Sequence, residues 1–368
     1  MKAIRVIDQS FKLLAEIEDY TSYMVTRRWS RAGEFQLVIN FNKNNVDVLQ
    51  KGNIIFAGTD FGKAGIIQHV QYSLSPKGKA GEVVVVRGFT LQGLAHRRVV
   101  IPNVGQESIL FANQPYESIF KGLLNTQIVN PANSNRQIPW VALATNQLRG
   151  DSISFSSRYR DLSDELEKLS LLSGMGWEFT LDFTEKKAIF DVYEGIDRTV
   201  GSGNPHCIFS TEFDNMKAQS FVDSEFNYAN VAIVAGQGEG ISREITFVGA
   251  GTGTDRYETF VDARDLEDNS KLPQRGQERL NELSGELTLE GEVITKSNVE
   301  YEKDYDLGDI VTVRNAKWGV TLNSRITEAI EIYEKDGFKL DLTFGSIRPT
   351  FTDAVRKTLL GLNGATYI

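Results

Sequence analysis

The stretch from Tyr305 to Gly345 limits most tightly what this chain can fold into. It opens with Leu307-Gly308-Asp309-Ile310-Val311-Thr312-Val313, turns between Asn315 and Gly319, and resumes at Arg325-Ile326-Thr327-Glu328-Ala329. A second turn at Lys335-Asp336-Gly337 leads into Phe338-Lys339-Leu340-Asp341-Leu342-Thr343-Phe344, where apolar and polar residues alternate without a break. That period of two belongs to a strand with one buried face. Asp-Gly between two such runs marks a hairpin, because both central residues of a type I′ turn need φ > 0. The stretch reads as an antiparallel meander of short strands.

A similar pattern occurs earlier. Gly52-Asn53-Ile54-Ile55 matches Gly308-Asp309-Ile310-Val311, and Ile66-Ile67-Gln68-His69-Val70 matches Arg325-Ile326-Thr327-Glu328-Ala329. The turn glycines Gly78 and Gly337 follow Ile67 and Ile326 at the same spacing, and Val83 to Val86 takes the place of Leu340 to Phe344. Gly88 and Gly345 close the two copies. A repeat of this length implies two similar β-domains in one chain, since a solenoid needs three or more short units. Shared glycine turns and alternation in two unrelated meanders would look the same.

Length and composition set the outer bounds. A chain of 368 residues predicts two to four domains. No apolar run approaches the roughly 20 residues of a membrane-spanning helix. The first residues, Met1 to Asp8, alternate like a strand and lack a signal-peptide core, which points to folding in a cytosol. The single cysteine, Cys207, leaves no partner for an internal disulfide, and His69, His96 and His206 are too scattered to suggest a zinc site. A net charge of −9 argues against gripping a nucleic-acid backbone, whose affinity comes from Lys and Arg displacing counterions. It is compatible with a surface past which DNA slides without sticking.

Along the chain, residues 1–105 read as strands. Phe35, Leu37 and Ile39 alternate in one of them, just after Arg27, Arg28, Trp29 and Arg31. The three arginines could hold an anion or stack on a base, but are expected to be solvated charges flanking a core tryptophan. Leu91 to Arg98 suggests a short helical turn. Residues 106–205 form a small α+β unit. In it Pro115 opens a helix with a stripe of Ile119, Phe120, Leu123 and Leu124, and Asp161 caps a second with Leu162, Leu166, Leu169 and Leu172. Gly174 and Gly176 stop that helix, and strands follow from Trp177 to Phe183 and from Ala188 to Tyr193. Residues 206–249 return to strands, with Asn230 to Ala235 nearly all apolar. Residues 250–290 read as an insertion containing a strand-like segment from Asp255 to Val261 and a helix opened by Pro273 with Leu280 and Leu283 on one face. The second meander fills 291–346. A last helix from Phe351 to Leu362 and the apolar end Tyr367-Ile368 occupy 347–368.

Few motifs suggest chemistry. Gly236-Gln237-Gly238-Glu239-Gly240 resembles a dinucleotide loop, but Ile241 stands where the third glycine belongs and a strand-like segment follows, so a hairpin loop is expected. Gly249 to Gly253 lacks a phosphate-loop lysine. His206 and Cys207 are adjacent on a strand and so point to opposite faces, which keeps them from acting as a nucleophile and its base. Asp161, Asp164, Glu165 and Glu167 crowd a helix start, where capping and the helix dipole account for them. No catalytic, cofactor-binding or metal-binding residue is assigned.

The order of these segments resembles the tail-hub proteins of siphophages, and is similar to the baseplate hub of contractile-tailed phages. The match rests on Trp29 with Arg31 to Leu37, Gly58 to Val70 with Ala64-Gly65-Ile66-Ile67, and Asn227 to Val231 with Gly236 and Gly238. Arg256-Tyr257-Glu258, Val261 to Asp265, and Asp304 to Val311 complete it. The resemblance implies an α+β, mainly β fold: two similar antiparallel β-barrel tube domains, 1–105 and 206–249 with 291–346, and two peripheral domains, 106–205 and 250–290. It implies a homotrimer whose six tube domains form a pseudo-sixfold ring that caps the tail tube, anchors tip or receptor-binding proteins and opens for DNA ejection. The partners implied are the distal tail ring, the tape-measure protein and genomic DNA passing without sequence-specific contact. The place implied is the tail tip of a virion assembled in the host cytoplasm. Many relatives continue into a fibre or wall hydrolase; with an end at Ile368, lytic and receptor-binding roles are expected on other chains. A cell-wall enzyme using Asp161 or Glu165, a carbohydrate-binding module using Trp140 or Trp318, and a tailocin or contractile secretion spike are the alternatives.

Overall fold

A computed structural model of the chain describes residues 2–74, 81–266 and 268–345. The segment Phe351 to Leu362, the end Tyr367-Ile368 and the turn glycine Gly78 lie outside the described residues. The fold is mostly β, with 43% of residues in strands against 20% in helices, as the alternating patterns require.

The first seven strands are β1 (Ile4–Ile7), β2 (Leu13–Ile17), β3 (Ser22–Arg28), β4 (Glu34–Asn40), β5 (Ile54–Ala57), β6 (Gly65–Leu74) and β7 (Glu82–Thr90). The α+β segment follows: β8 (Ile109–Pro115), α1 (Tyr116–Leu124), β9 (Val141–Leu143), β10 (Ser152–Ser157), α2 (Leu162–Ser173), β11 (Gly176–Asp182) and β12 (Lys187–Tyr193). Then come β13 (Ile208–Ser210), β14 (Met216–Ser224), β15 (Val231–Ala235), β16 (Ile245–Gly249), β17 (Glu258–Asp262) and α3 (Leu272–Glu282). The chain ends its described part with β18 (Glu286–Val293), β19 (Ile310–Asn315), β20 (Val320–Glu334) and β21 (Gly337–Gly345).

Two compact units result, Met1–Gln219 with Glu290–Phe344, and one containing Ser220–Leu289. The repeat is visible as topology. One copy runs β3-β4-β7-β6-β5-β1, the other β14-β18-β21-β20-β19-β13. The outermost pair differs, antiparallel for β1 with β5 and parallel for β13 with β19. The agreement reaches single hydrogen bonds. Gly52 N–H donates to the Ile67 carbonyl at 2.8 Å, and Ile67 N–H to that of Asn53 at 2.9 Å. Gly308 N–H donates to Ile326 at 2.8 Å, and Ile326 N–H to Asp309 at 2.9 Å. Both glycines sit at positive φ, 95° and 91°. The pairing then slips by one residue at the same place in each, between Ile67 and His69 and between Ile326 and Glu328. Both copies belong to one sheet, and no closed barrel forms among the described residues.

The α+β segment shares a core with the first copy. β5 is buried on both faces: Ile54 and Phe56 face the α+β segment, where Ile119, Phe120, Leu162, Leu166 and Trp177 are fully buried. Ile55 and Ala57 face the interior of the first copy with Leu37, Val84 and Val86. Both expected helices form. Asp161 accepts from Ser163 N–H at the start of α2, and Gly174, at φ 71°, ends it. Leu172 is only half-buried.

In the second unit β15 lies between β16 and β17, with α3 packed on that sheet. Gly276 lets α3 approach, since a Cβ there would come within 2.6 Å of Val248 and 2.7 Å of Val234. The sequence reading placed 206–249 with the second copy. The structure instead pairs β15 and β16 with β17 from the insertion. An apolar run such as Val231 to Ala235 reads alike in any sheet that covers both its faces.

The two matched glycines are not equally replaceable. An added Cβ at Gly52 meets only the Gln9 side chain at 3.5 Å, whereas at Gly308 it would fall 1.9 Å from the Trp29 ring. Gly52→Ala is expected to cost about 1 kcal/mol, the strain of positive φ alone. Gly308→Ala adds a core clash and is expected to cost about 3 kcal/mol or more. Chemical denaturation of the two variants checks the order.

Candidate functional site

β20 is fifteen residues long because it serves two neighbours on one edge. Its first half, Val320 to Arg325, pairs with β19; its second, Glu328 to Glu334, pairs with Arg28 to Ser22 of β3. The second copy is thereby joined to the first through a continuous backbone ladder. An edge strand left alone would expose a row of unpaired N–H and C=O groups.

Side chains lock this junction. Glu331 is fully buried, with Lys63 Nζ 2.7 and 2.8 Å from its two carboxylate oxygens. The Tyr301 and Tyr333 hydroxyls donate to it at 3.0 and 2.8 Å. Lys63 comes from the short turn between β5 and β6 and also meets Glu302 at 2.5 Å. Arg27 donates to the Tyr301 hydroxyl at 2.7 Å and to Asp306 at 2.8 Å. Burial works against the Arg27 charge, but Tyr301, Asp306 and Glu331 outweigh it and hold its pKa well above the ordinary value. Arg28 spans Glu328 at 2.6 Å, Glu34 at 2.8 Å and the Ala32 carbonyl. Beside them is half-buried Glu178, which accepts from the Tyr193 hydroxyl at 3.2 Å. Loss of solvation raises its pKa, with Arg27 pulling the other way.

Trp29 pins the α+β segment to the same place. Its indole N–H donates to the Gly174 carbonyl at 3.1 Å, its ring meets Tyr193 edge-on at 4.9 Å, and the Arg325 guanidinium lies 5.2 Å from its centroid. Gly176 and Gly308 pass so close to the ring that no side chain would fit. The expectation of a core tryptophan is met. The expectation of solvated arginines is overturned for Arg27 and Arg28, whose side chains are 12% and 9% exposed in ion pairs. Their partners are far away in sequence, and no local pattern announces them.

The other ends of the repeat are open. β6 matches β20 residue for residue from Ile67, and β5 covers its edge only at Gly65 and Ile66. Beyond Ile67, among the described residues, no strand pairs with that edge. Tyr72 and Leu74 are 62% and 67% exposed there, where the matched Glu331 and Tyr333 are buried at 0% and 5%. β14, the counterpart of β3, ends the sheet among the described residues.

The structure places the remaining candidates in different elements. Cys207 is buried, its thiol pushed up to about 12 by burial, while His206 is exposed. Gly236 to Gly240 closes the hairpin of β15 and β16. Glu165 is buried in the first turn of α2. Trp140 packs against the core; Trp318 is 47% exposed in the turn between β19 and β20. The geometry present is two joined copies, each with an edge that no strand pairs with among the described residues.

The sequence matches the Siphovirus ReqiPepy6 Gp37-like proteins over residues 3–346. The chain belongs to that family. Solved tail proteins share the fold. A 43 kDa tail protein of prophage MuSo2 from Shewanella oneidensis superposes with a TM-score of 0.58 at 14% identity, covering 95% of this chain and 99% of that one. A tail protein from Neisseria meningitidis gives 0.56 at 16% identity, covering 94% and 96%. A chain of the lidded Francisella PdpA-VgrG complex gives 0.50 at 9% identity, covering 95% of this chain and 53% of that one. No curated protein matches by sequence. The fold of this chain is thus that of solved prophage and bacterial tail proteins.

Glu331→Ala leaves buried Lys63 with Glu302 and Asp60 and takes the acceptor from the Tyr301 and Tyr333 hydroxyls, and is expected to cost about 3 kcal/mol, whereas Lys63→Met with Glu331→Leu recovers most of the loss. Chemical denaturation of the three proteins tests this. Glu178 behaves oppositely. Its folded carboxyl holds a proton more tightly than the unfolded one, so its charged form costs stability at neutral pH. Glu178→Gln is therefore expected to stabilise at pH 7, with the gain fading as the pH falls toward the ordinary value of 4.5. Melting temperatures of both proteins across that range decide it.

Proposed function

We propose that the chain is a structural hub of a phage tail tip that works as a homotrimer. The observation that carries this is the duplicated sheet: two copies of one six-strand order, joined edge to edge in one chain. Three chains supply six similar copies of that strand order, enough for a ring that is threefold by chain and nearly sixfold by fold. Such a ring docks on a sixfold tail tube and presents threefold symmetry to the tip. Closure of the ring would complete the barrel-like walls that a single chain leaves open.

In this reading the hub caps the tube next to the distal tail ring, meets the end of the tape-measure protein, anchors tip or receptor-binding proteins and opens for DNA ejection. A net charge of −9 supports passage of DNA without adhesion. The charged groups at the junction satisfy one another, which supports a structural rather than a catalytic role. The hub's place would be the virion, assembled in the host cytoplasm.

Light scattering of the purified chain over a range of concentrations, with and without isolated tail tubes, tests the trimer. A particle of three times the 41.1 kDa chain mass is expected. A mass of one chain under every condition contradicts the ring.

A further inference from the structure

Five arginines come together where the helical turn Leu91–Arg97 meets the chain leading into α2. They arrive from three stretches: Arg97 and Arg98, Arg136, and Arg158 with Arg160. The Arg98 guanidinium donates twice to the Arg136 carbonyl, at 3.0 and 2.7 Å, and once to that of Arg97 at 2.8 Å. Arg136 in turn donates to the Val99 carbonyl at 2.6 Å. The third stretch runs antiparallel beside the first. Tyr159 N–H donates to the Val100 carbonyl at 2.7 Å, Val100 N–H to that of Arg160 at 2.8 Å, and Leu162 N–H to that of Arg98 at 2.9 Å. The backbone therefore holds these like charges together.

Their charge is unanswered. Elsewhere in the chain arginines meet carboxylates, as Arg28 meets Glu34 and Glu328, Arg149 meets Glu117, and Arg198 meets Asp309. Among the described residues none of the five forms an ion pair, and Arg97, Arg158 and Arg160 make no side-chain hydrogen bond. Asp161, the next residue after Arg160, accepts from Ser163 N–H at 2.9 Å as the cap of α2. Burial, and then the neighbouring Arg98 charge, hold the pKa values of Arg97 and Arg136 below the ordinary one. Bonds to carbonyls account for Arg98 and Arg136 as struts between loops. They do not account for the other three, in a chain whose net charge is −9. Tyr159 stands among them, 60% exposed and at φ 53°, with the Arg158 guanidinium 4.8 Å from its ring centroid. A tyrosine held in that sparsely populated conformation and left in solvent serves no core.

We infer that Arg97, Arg98, Arg136, Arg158 and Arg160 form a binding site for phosphate groups strung along a flexible chain. All five cations are arginines, whose planar fork grips two phosphate oxygens at once, where a lysine offers a single point charge. Arg98 and Arg136 are already oriented by the carbonyls they hold, and each keeps N–H groups to spare. A carboxylate has only two oxygens to share among Arg97, Arg98 and Arg136, whereas a phosphate has more. Three separate stretches suit successive phosphates better than one ion, and the exposed Tyr159 ring lies between two of the arginines. Bound phosphate would also relieve the mutual repulsion that the fold imposes. The site lies within one chain and does not depend on the ring.

The test measures binding of fluorescently labelled linear polyphosphate to the full chain by anisotropy, over a range of salt concentrations. The variant carries Arg97→Gln with Arg160→Gln. Both side chains are exposed and unbonded among the described residues, so the fold is expected to survive, checked by an unchanged circular dichroism spectrum. A control with Lys12→Gln and Lys51→Gln, both exposed, removes the same charge elsewhere. The wild type and the control are expected to bind alike, and the variant about tenfold more weakly or worse. The slope of log affinity against log salt is expected to flatten by about 1 for each of the two arginines removed. Unlabelled competitors identify the ligand. Polyphosphate is expected to displace the label better than inorganic phosphate, duplex DNA or polyglutamate at equal anion concentration. Equal binding by wild type and variant, or no binding by the wild type at low salt, overturns the site. Inorganic phosphate competing as well as the polymer overturns the chain requirement, duplex DNA competing better overturns the flexible ligand, and polyglutamate competing as well overturns the assignment to phosphate.

Discussion

The backbone ladder between β20 and β3 is the constraint on which the rest depends. Seven consecutive residues of one copy, Glu328 to Glu334, pair with seven of the other, Arg28 to Ser22. Their N–H and C=O groups cannot be buried unpaired, so the two copies hold one register or none. The ion pairs then follow from geometry. Placing Arg28 opposite Glu328 and Arg27 opposite Ala329 brings both arginines within reach of the second copy's carboxylates. A turn from the first copy delivers Lys63 to Glu331. Each charge is costly to bury and each is answered, so the junction is specified by the need to satisfy them as much as by any net energy they supply.

Trp29 extends that logic to the α+β segment. Its ring touches Gly308 of the second copy, and Gly176 and Tyr193 of the α+β segment, directly after β3 of the first. One indole therefore fixes three parts of the unit at one point. Gly308 must be glycine twice over, for its positive φ and for the ring beside it. Gly52, its partner in the repeat, answers only to the first requirement, because no tryptophan lies against it. The copies are similar in topology and unlike in load, and the load is concentrated where they meet.

Much of this was legible in the sequence, for a physical reason. Turn glycines, alternation and helix caps are local, so Gly52 and Gly308, the run from Phe338 to Phe344, and Asp161 at the start of α2 can be read from neighbours in the chain. The correspondence of Ile67 with Ile326 holds in the structure down to paired hydrogen bonds. What could not be read was pairing at a distance. Glu331 lies 268 residues from Lys63, and nothing near Arg27 or Arg28 indicates that they are buried. Val231 to Ala235 is apolar enough for any covered sheet, which is why its place with β16 and β17 in the second unit needed the structure. The open edge of β6 was likewise hidden, since Tyr72 and Leu74 alternate as a covered strand would.

The measurement that reaches the central claim most directly is electron microscopy of the purified assembled particle, averaged in views down its axis. Two quasi-equivalent copies per chain predict six similar lobes around one channel, alternating in detail so that the true symmetry is threefold. Three lobes only, or an open chain of subunits that never closes, would contradict the account.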